Sequence, residues 1–353
     1  MLENKPRIIA FYLPQFHPIP ENDAWWGKGF TEWTNVAKAK PLFRGHYQPR
    51  LPLNNNYYNL LDSETFSWQT MLANQYGVDG FCFYHYWFNG KLLLQKPVEN
   101  FLKRKDLHLS FCLSWANEPW SRTWDGQNHD VLMPQAYAGI EDILNHFNYV
   151  LPYFKDSRYI KIHNKPVFLL YRANSITYLE KMIEKWNELA MANGFDGVYF
   201  VETLNSFSLN KVSNNSSATV YFEPTFSMTQ RNLVDKIYQN VKSGSYISRN
   251  KIVPYDYLWK RIFRFQKWSD INWAGAFLDW DNTPRKKSHA LIVRHTTVQR
   301  FYIYLKKLYE SCSMKKCPFI FVNAWNEWAE GTYLEPDEKR KYGFLEAIKK
   351  VKG

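Results

Sequence analysis

Short apolar runs rich in β-branched and aromatic residues recur along the chain, and they alternate with segments whose apolar residues fall at helical spacing. The short runs predict eight strands: Arg7–Leu13, Gly80–Tyr86, Leu107–Ser114, Pro166–Tyr171, Gly197–Val201, Ala218–Phe222, Ala274–Leu278 and Pro318–Ala324. The longer patterns predict helices over Leu61–Gln75, Leu93–Arg104, Ile140–Phe154, Ser175–Asn193 and about His295–Tyr309, the fourth capped by Ser175 or Thr177. One junction repeats. Gly77-Val-Asp-Gly-Phe-Cys-Phe83 and Gly194-Phe-Asp-Gly-Val-Tyr-Phe200 both read as helix stop, Asp-Gly turn, strand. Strands alternating with helices predict a parallel sheet, and eight of them with no second block left over predict an α/β fold of the (β/α)8 TIM barrel type. The expected organisation is one barrel domain over residues 1–353. Its strand-to-helix loops are elaborated, most of all in a connection at about 205–270 with a helix near Val234–Val241.

The odd polar and aromatic residues follow the strands rather than precede them. In a barrel of this type the C-terminal strand ends carry the active site. The first strand leads to Tyr12, Gln15, Trp26, Glu32 and Trp33, the second to Tyr84, His85 and Trp87, and the third to Trp115, Asn117 and Glu118. Glu202 ends the fifth and Glu223 the sixth; Trp280, Asp281, Asn282 and Arg285 follow the seventh. After the eighth come Asn326, Glu327, Trp328 and Glu330. Two carboxylates three residues apart, flanked by tryptophans and followed by Gly331, suit a packed core poorly, because an unpaired buried charge is costly. Two solvated acids on a loop are the plainer reading. Strand-end acids among aromatic rings instead suit sugar chemistry, in which rings stack on sugar faces and carboxylates move protons or attack an anomeric carbon. His17 and His85 are candidates to order a carboxylate or bind a hydroxyl, or simply half-buried satisfied histidines.

Composition sharpens this picture. Aromatic residues make up 18% of the chain, with 15 Trp, 24 Tyr and 25 Phe, more than an ordinary core needs. The formal charge is +12, and the segment 205–300 holds 15 Lys and Arg against 6 Asp and Glu. Its run Trp259-Lys-Arg-Ile-Phe-Arg-Phe-Gln-Lys-Trp268 mixes bases with rings, and the basic stretch Lys251–Lys287 suggests peripheral contact with an anionic membrane surface. These bases form no known nucleic-acid-binding module, so no nucleic acid is expected as a partner. Four cysteines without zinc-site spacing read as buried reduced thiols. With no signal-peptide pattern and no long apolar run, the expected location is cytoplasmic, possible sequons at Asn214 and Asn215 being idle. Asp279-Trp-Asp281 matches the D-x-D that holds a metal in nucleotide-sugar transferases, but no Gly-rich phosphate cradle or second ligand set accompanies it. No metal or cofactor is expected, and no Ser-His-Asp or Cys-His arrangement is visible.

Five motifs occur in order: Phe11-Tyr-Leu-Pro-Gln-Phe-His17, Trp115-Ala-Asn-Glu118, Trp124-Asp-Gly126, Trp280-Asp-Asn-Thr-Pro-Arg285 and Trp325-Asn-Glu-Trp-Ala-Glu-Gly331. Together they resemble the WbsX family, which is related to glycoside hydrolase family 99. The resemblance spans Arg7 to about Pro336. It implies a (β/α)8 barrel acting in bacterial O-antigen or capsular polysaccharide metabolism on an oligo- or polysaccharide. Members carry a glycosyltransferase label, whereas relatives of known chemistry are retaining endo-α-mannosidases. Carried over residue by residue, the resemblance makes Glu327 the base that activates a sugar 2-hydroxyl, giving a 1,2-anhydro intermediate. It makes Glu330 the general acid and then base, a role that calls for a raised pKa. Ala329 stands where relatives often have His, a departure that bears on the subsite beyond Glu330.

Overall fold

The computed structural model describes residues 5–121, 131–230, 251–286 and 289–353. The helix expected near Val234–Val241 and the motif Trp124-Asp-Gly126 lie outside the described residues. Eight parallel strands form the centre: β1 (Arg7–Tyr12), β2 (Gly80–Phe88), β3 (Ser110–Trp115), β4 (Lys165–Leu170), β5 (Tyr199–Leu204), β6 (Ala218–Tyr221), β7 (Asn272–Phe277) and β8 (Phe319–Asn323). Each pairs with the next in sequence, and β1 pairs with both β2 and β8, with Ile9 opposite Gly80 and also Phe321. The sheet is therefore closed, as the (β/α)8 pattern predicts.

Helices cover the outside: α1 (Ser63–Tyr76), α2 (Lys96–Lys103), α3 (Ile140–Phe154), α4 (Leu179–Ala192), α5 (Tyr255–Phe265), α6 (Val298–Met314) and α7 (Gly343–Lys352). The expected span of α3 matches to the residue. The expected α4 starts too early: Ala173–Ser175 is a separate 3-10 turn, and Tyr178, without a side-chain cap bond, precedes the helix. Leu93 falls not in α2 but in a short strand, Lys91–Leu93, that folds back on the end of β2. No helix joins β5 to β6. A parallel pair outside the barrel, Lys251–Pro254 with Leu291–Arg294, is also absent from the sequence reading.

Aromatic side chains weld neighbouring helices together. Trp186 of α4 is fully buried and donates its indole N–H to the Ile143 carbonyl of α3 at 3.0 Å. Trp259 of α5 stacks on Tyr304 of α6 with ring centres 5.2 Å apart. Each such burial contributes about 1.5–3 kcal/mol. Between β6 and β7 the backbones come so close that a Cβ on Gly275 would lie 1.9 Å from the Tyr221 carbonyl oxygen, which explains a glycine in mid-strand. Inside the barrel Phe11, Tyr84, Phe222 and Phe321 pack together, Phe11 lying within 5.8 Å of each of the others. All four cysteines are buried free thiols. Among the described residues, no helix is long and apolar enough to cross a membrane.

Candidate active site

The stretch after β8 folds as a tight hairpin. Asn326–Glu327 pairs antiparallel with Thr332–Tyr333 around a 3-10 turn, Trp328–Glu330. Gly331 ends that turn at φ 68, where a side chain would be strained and its Cβ would meet the Arg50 guanidinium at 2.9 Å. Asn326 does not face the mouth. Its amide is spent on the end of β1, accepting from the Leu13 N–H at 2.8 Å and donating to the Leu13 carbonyl at 3.0 Å. Trp328 is likewise a support. It stacks on Tyr333 at 3.8 Å and donates its indole N–H to Glu335 at 2.7 Å. Glu335 also accepts from Trp325, Tyr58 and Gln69, so one buried carboxyl fastens the hairpin to α1 and the first loop. Burial pushes this carboxyl up to about 7 against those four donors.

Arg285 gathers the acids. Its guanidinium donates to Glu330 at 2.7 Å, to Glu327 at 3.0 Å and to Glu32 at 2.6 and 2.9 Å. Glu32, from the first loop, thus joins the Glu327–Glu330 pair on one cation. Burial, with Glu330 and Glu32 adding to it, pushes the Glu327 carboxyl up to about 8 even though Arg285 pulls the other way. Glu32 is also raised by burial, again against Arg285. Tyr84, Tyr86 and Tyr171 surround the acids, and their phenols are raised by burial and then by the charges of Glu327, Glu330 and Glu118. Glu118 pairs with Arg172 at 2.5 Å on the same mouth.

The D-x-D acids are differently employed. Asp279 is held by Arg50 at 3.0 Å, Arg340 at 2.6 Å and the Thr296 hydroxyl at 2.7 Å. Asp281 has His46 and Gln48 each at 2.7 Å on one oxygen and Thr283 on the other. Burial alone would raise both carboxyls, but these cations and donors carry them below the usual range. The link from Asp281 to the hairpin that carries Glu327 and Glu330 is its backbone N–H, which donates to the Glu330 carbonyl at 2.7 Å.

Several sequence candidates make their contacts away from the Arg285 cluster. Successive strand residues face opposite sides, so Tyr84 and Tyr86 point inward while His85 and Trp87 point to α3. His85 lies 2.8 Å from His146, and Trp87 donates to Asp142 at 2.8 Å. Tyr12 points out for the same reason and donates to Gln69 at 2.6 Å. Trp115 donates to the Trp87 carbonyl, and Asn117 clasps the Arg172 backbone, accepting at 2.8 Å and donating at 2.9 Å. Glu202 lies within β5 rather than at its end, and it accepts from the Val212 and Ser213 N–H groups. Glu223 accepts from Ser227 and Gln266, and burial raises it to about 7. Asn282 accepts from the Leu291 N–H, and Trp280 is buried beside it. Trp33 donates to the Tyr58 carbonyl and backs Trp328. Gln15 is buried, its carbonyl accepting from the Glu32 N–H, while Trp26 is half-buried against Phe30. His17 is buried, which lowers it to about 4. The sequence reading misses Arg50, Glu335, Tyr86 and Tyr171. Alternation along β2 would have found Tyr86.

Comparisons with known proteins bear on the fold and the family. Residues 8–348 match the family described as glycosyltransferase WbsX. The uncharacterized protein WxcX of Xanthomonas campestris pv. campestris, in strains B100 and ATCC 33913, is 35% identical over 357 residues, covering 98% of this chain. The chain spans about half the length of these curated relatives, 49%. Among solved structures, the family 99 endo-α-mannosidase of Bacteroides thetaiotaomicron has a TM-score of 0.57 at 14% identity, over 99% of this chain and 97% of that one. A glycoside hydrolase-like protein has a TM-score of 0.58 at 11% identity, over 98% and 94%. The structural likeness speaks for the fold, and the sequence match for the kinship: the chain belongs to the WbsX glycosyltransferase family.

Proposed function

We propose that this chain is a retaining, metal-independent carbohydrate-active enzyme that cleaves or transfers an α-linked glycosyl unit of a bacterial surface polysaccharide. The observation that carries the reading is the pair Glu327 and Glu330, bound to neighbouring nitrogens of one guanidinium at the barrel mouth. Two acids held on one cation suit a mechanism in which one draws a proton from the substrate and the other delivers one to the leaving oxygen. In the first step Glu327 takes the proton of the sugar 2-hydroxyl, whose oxygen closes on the anomeric carbon. The glycosidic bond breaks, and its oxygen takes a proton from Glu330. In the second step Glu330 takes a proton from water or from an acceptor hydroxyl. That oxygen attacks the anomeric carbon, the bond from the anomeric carbon to the sugar 2-oxygen breaks, and Glu327 returns its proton to that 2-oxygen. Hydrolysis and transfer differ only in the acceptor.

These roles, taken from the family resemblance, need the proton on Glu330, whereas burial favours it on Glu327. Glu327 therefore has to give up that proton before it can act as the base. Metal independence is supported by the D-x-D acids, whose oxygens are taken by arginines, His46, Gln48 and hydroxyls. Incubation with bacterial surface polysaccharides tests the reading. Cleavage or transfer that survives Glu327→Gln and Glu330→Gln overturns it, and loss of turnover on chelation overturns the metal-independent part. The family's description favours a second reading, a transferase using an activated sugar donor. Tight binding of a nucleoside diphosphate would select it.

A further inference from the structure

The basic run noted in the sequence has no part in the mouth, and the fold gives it a surface. On α5, Lys260 and Arg264 are exposed one turn apart, and Lys267 follows just beyond the helix. On α6 the outward stripe includes Ile303, Lys307 and, at its end, Met314, continued by Lys315 and Lys316. The helices are neighbours, because Tyr304 packs on Trp259 and Phe263, and Lys307 lies over the Phe263 ring at 4.6 Å. Lys315 lies over Trp268 at 5.2 Å. The two stripes therefore form one continuous face.

Its charge is lopsided. Among the described residues, Lys260, Arg264, Lys267, Lys307, Lys315 and Lys316 make no ion pair, while Asp256 faces Arg300 and Tyr304, and Glu310 faces Lys306. Asp270 is the remaining exposed acid. Apolar side chains protrude between the cations: Met314 is 78% exposed, Ile303 51% and Ile271 48%. Against a hydrated polyanion these three would gain nothing. Against a bilayer they enter the headgroup boundary while the lysine and arginine heads meet lipid phosphates. We propose that the α5–α6 face docks the barrel on the surface of an anionic lipid bilayer.

The face reaches the barrel floor, since Ile271 immediately precedes β7 and Lys316 nearly adjoins β8. The acids stand at the opposite strand ends. A docked barrel therefore keeps its mouth open to glycan, and docking is independent of the proposed chemistry. The test is co-sedimentation of the full chain with vesicles of phosphatidylcholine, with and without phosphatidylglycerol, at low and physiological ionic strength. Binding should require the anionic lipid and weaken with salt. It should fall at least about tenfold on joint reversal of Lys260, Arg264 and Lys267 to Glu, and stay unchanged in Lys181→Glu on α4. If the triple variant melts early, Ile303→Asp with Met314→Asp reads the same face from the other helix. No binding to anionic vesicles overturns the proposal. So does binding that the folded face variants retain, or capture by a soluble anionic polysaccharide in place of vesicles.

Discussion

Arg285 and Glu330 stand 2.7 Å apart, joined through Nη1 and Oε1, although one follows β7 and the other β8. The same guanidinium reaches Glu327 and Glu32, so one cation holds three carboxylates together. Replacing Arg285 with Met removes the charge that favours their ionised forms. Glu327 and Glu32 then hold their protons more tightly, as loss of a close opposite charge requires. The acid limb of the pH–rate profile should move up by roughly one unit or more, and Arg285→Lys should recover part of that shift. An unmoved profile would mean that Arg285 holds geometry alone.

The two acids are told apart by leaving group. A substrate whose leaving group departs unaided needs no proton donor. Such a substrate should restore turnover to Glu330→Gln, which on natural glycan is expected to lose about 10²–10⁴-fold, and should not restore Glu327→Gln. The opposite pattern would exchange the roles, in the sense that burial of Glu327 favours.

Stability should fall as pH rises above about 6.5. Glu327 is raised to about 8, and Glu223 and Glu335 to about 7, so each binds its proton more tightly folded than unfolded. The folded state holds the extra protons, so raising the pH through these values removes stability, by at most about 1.4 kcal/mol per unit for each group. Below about 6.5 the two sets of groups offset each other. Burial lowers His17 to about 4, His85 to about 3 and His146 further, so the unfolded chain gains protons on these imidazoles while the folded chain still holds its extra protons on the three carboxyls. Thermal melting should be nearly flat between about pH 5 and 6.5 and fall from there to pH 8, with Glu327→Gln flattening the alkaline side.

Much of the barrel is legible in the sequence because strand and helix periods differ. The strand ends are legible because polar and aromatic residues crowd there. What period alone leaves open is the facing of neighbours. Tyr84 and His85 look equally suitable, yet the pleat sends one to the acids and the other to His146. Asp279 and Asp281 look like metal ligands because Arg50 and His46, which occupy them, lie more than 200 residues away. Glu335 escapes notice because its donors come from three separate segments.

Glu335 itself makes a stability prediction. It gathers two indoles, a phenol and an amide at 2.7–3.1 Å. In Glu335→Gln the new amide group faces donors. Each buried donor left without an acceptor costs about 1–3 kcal/mol. The melting temperature should drop by several degrees, and turnover should fall with it; an unchanged melting temperature would show that the network is slack.

The hairpin that carries Glu327 and Glu330 is bonded to Leu13, Tyr58 and Gln69, and Arg50 donates to its Gly331 carbonyl at 2.8 Å. Its supports thus come from the earliest part of the barrel and its acids from the last strand. While the chain is being synthesised, β1 and α1 have long been made before their partner emerges, and until then the cluster of Glu32, Glu327 and Glu330 on Arg285 cannot assemble. The cluster arrives only with ring closure, so a chain that misfolds short of that point carries no assembled acid pair.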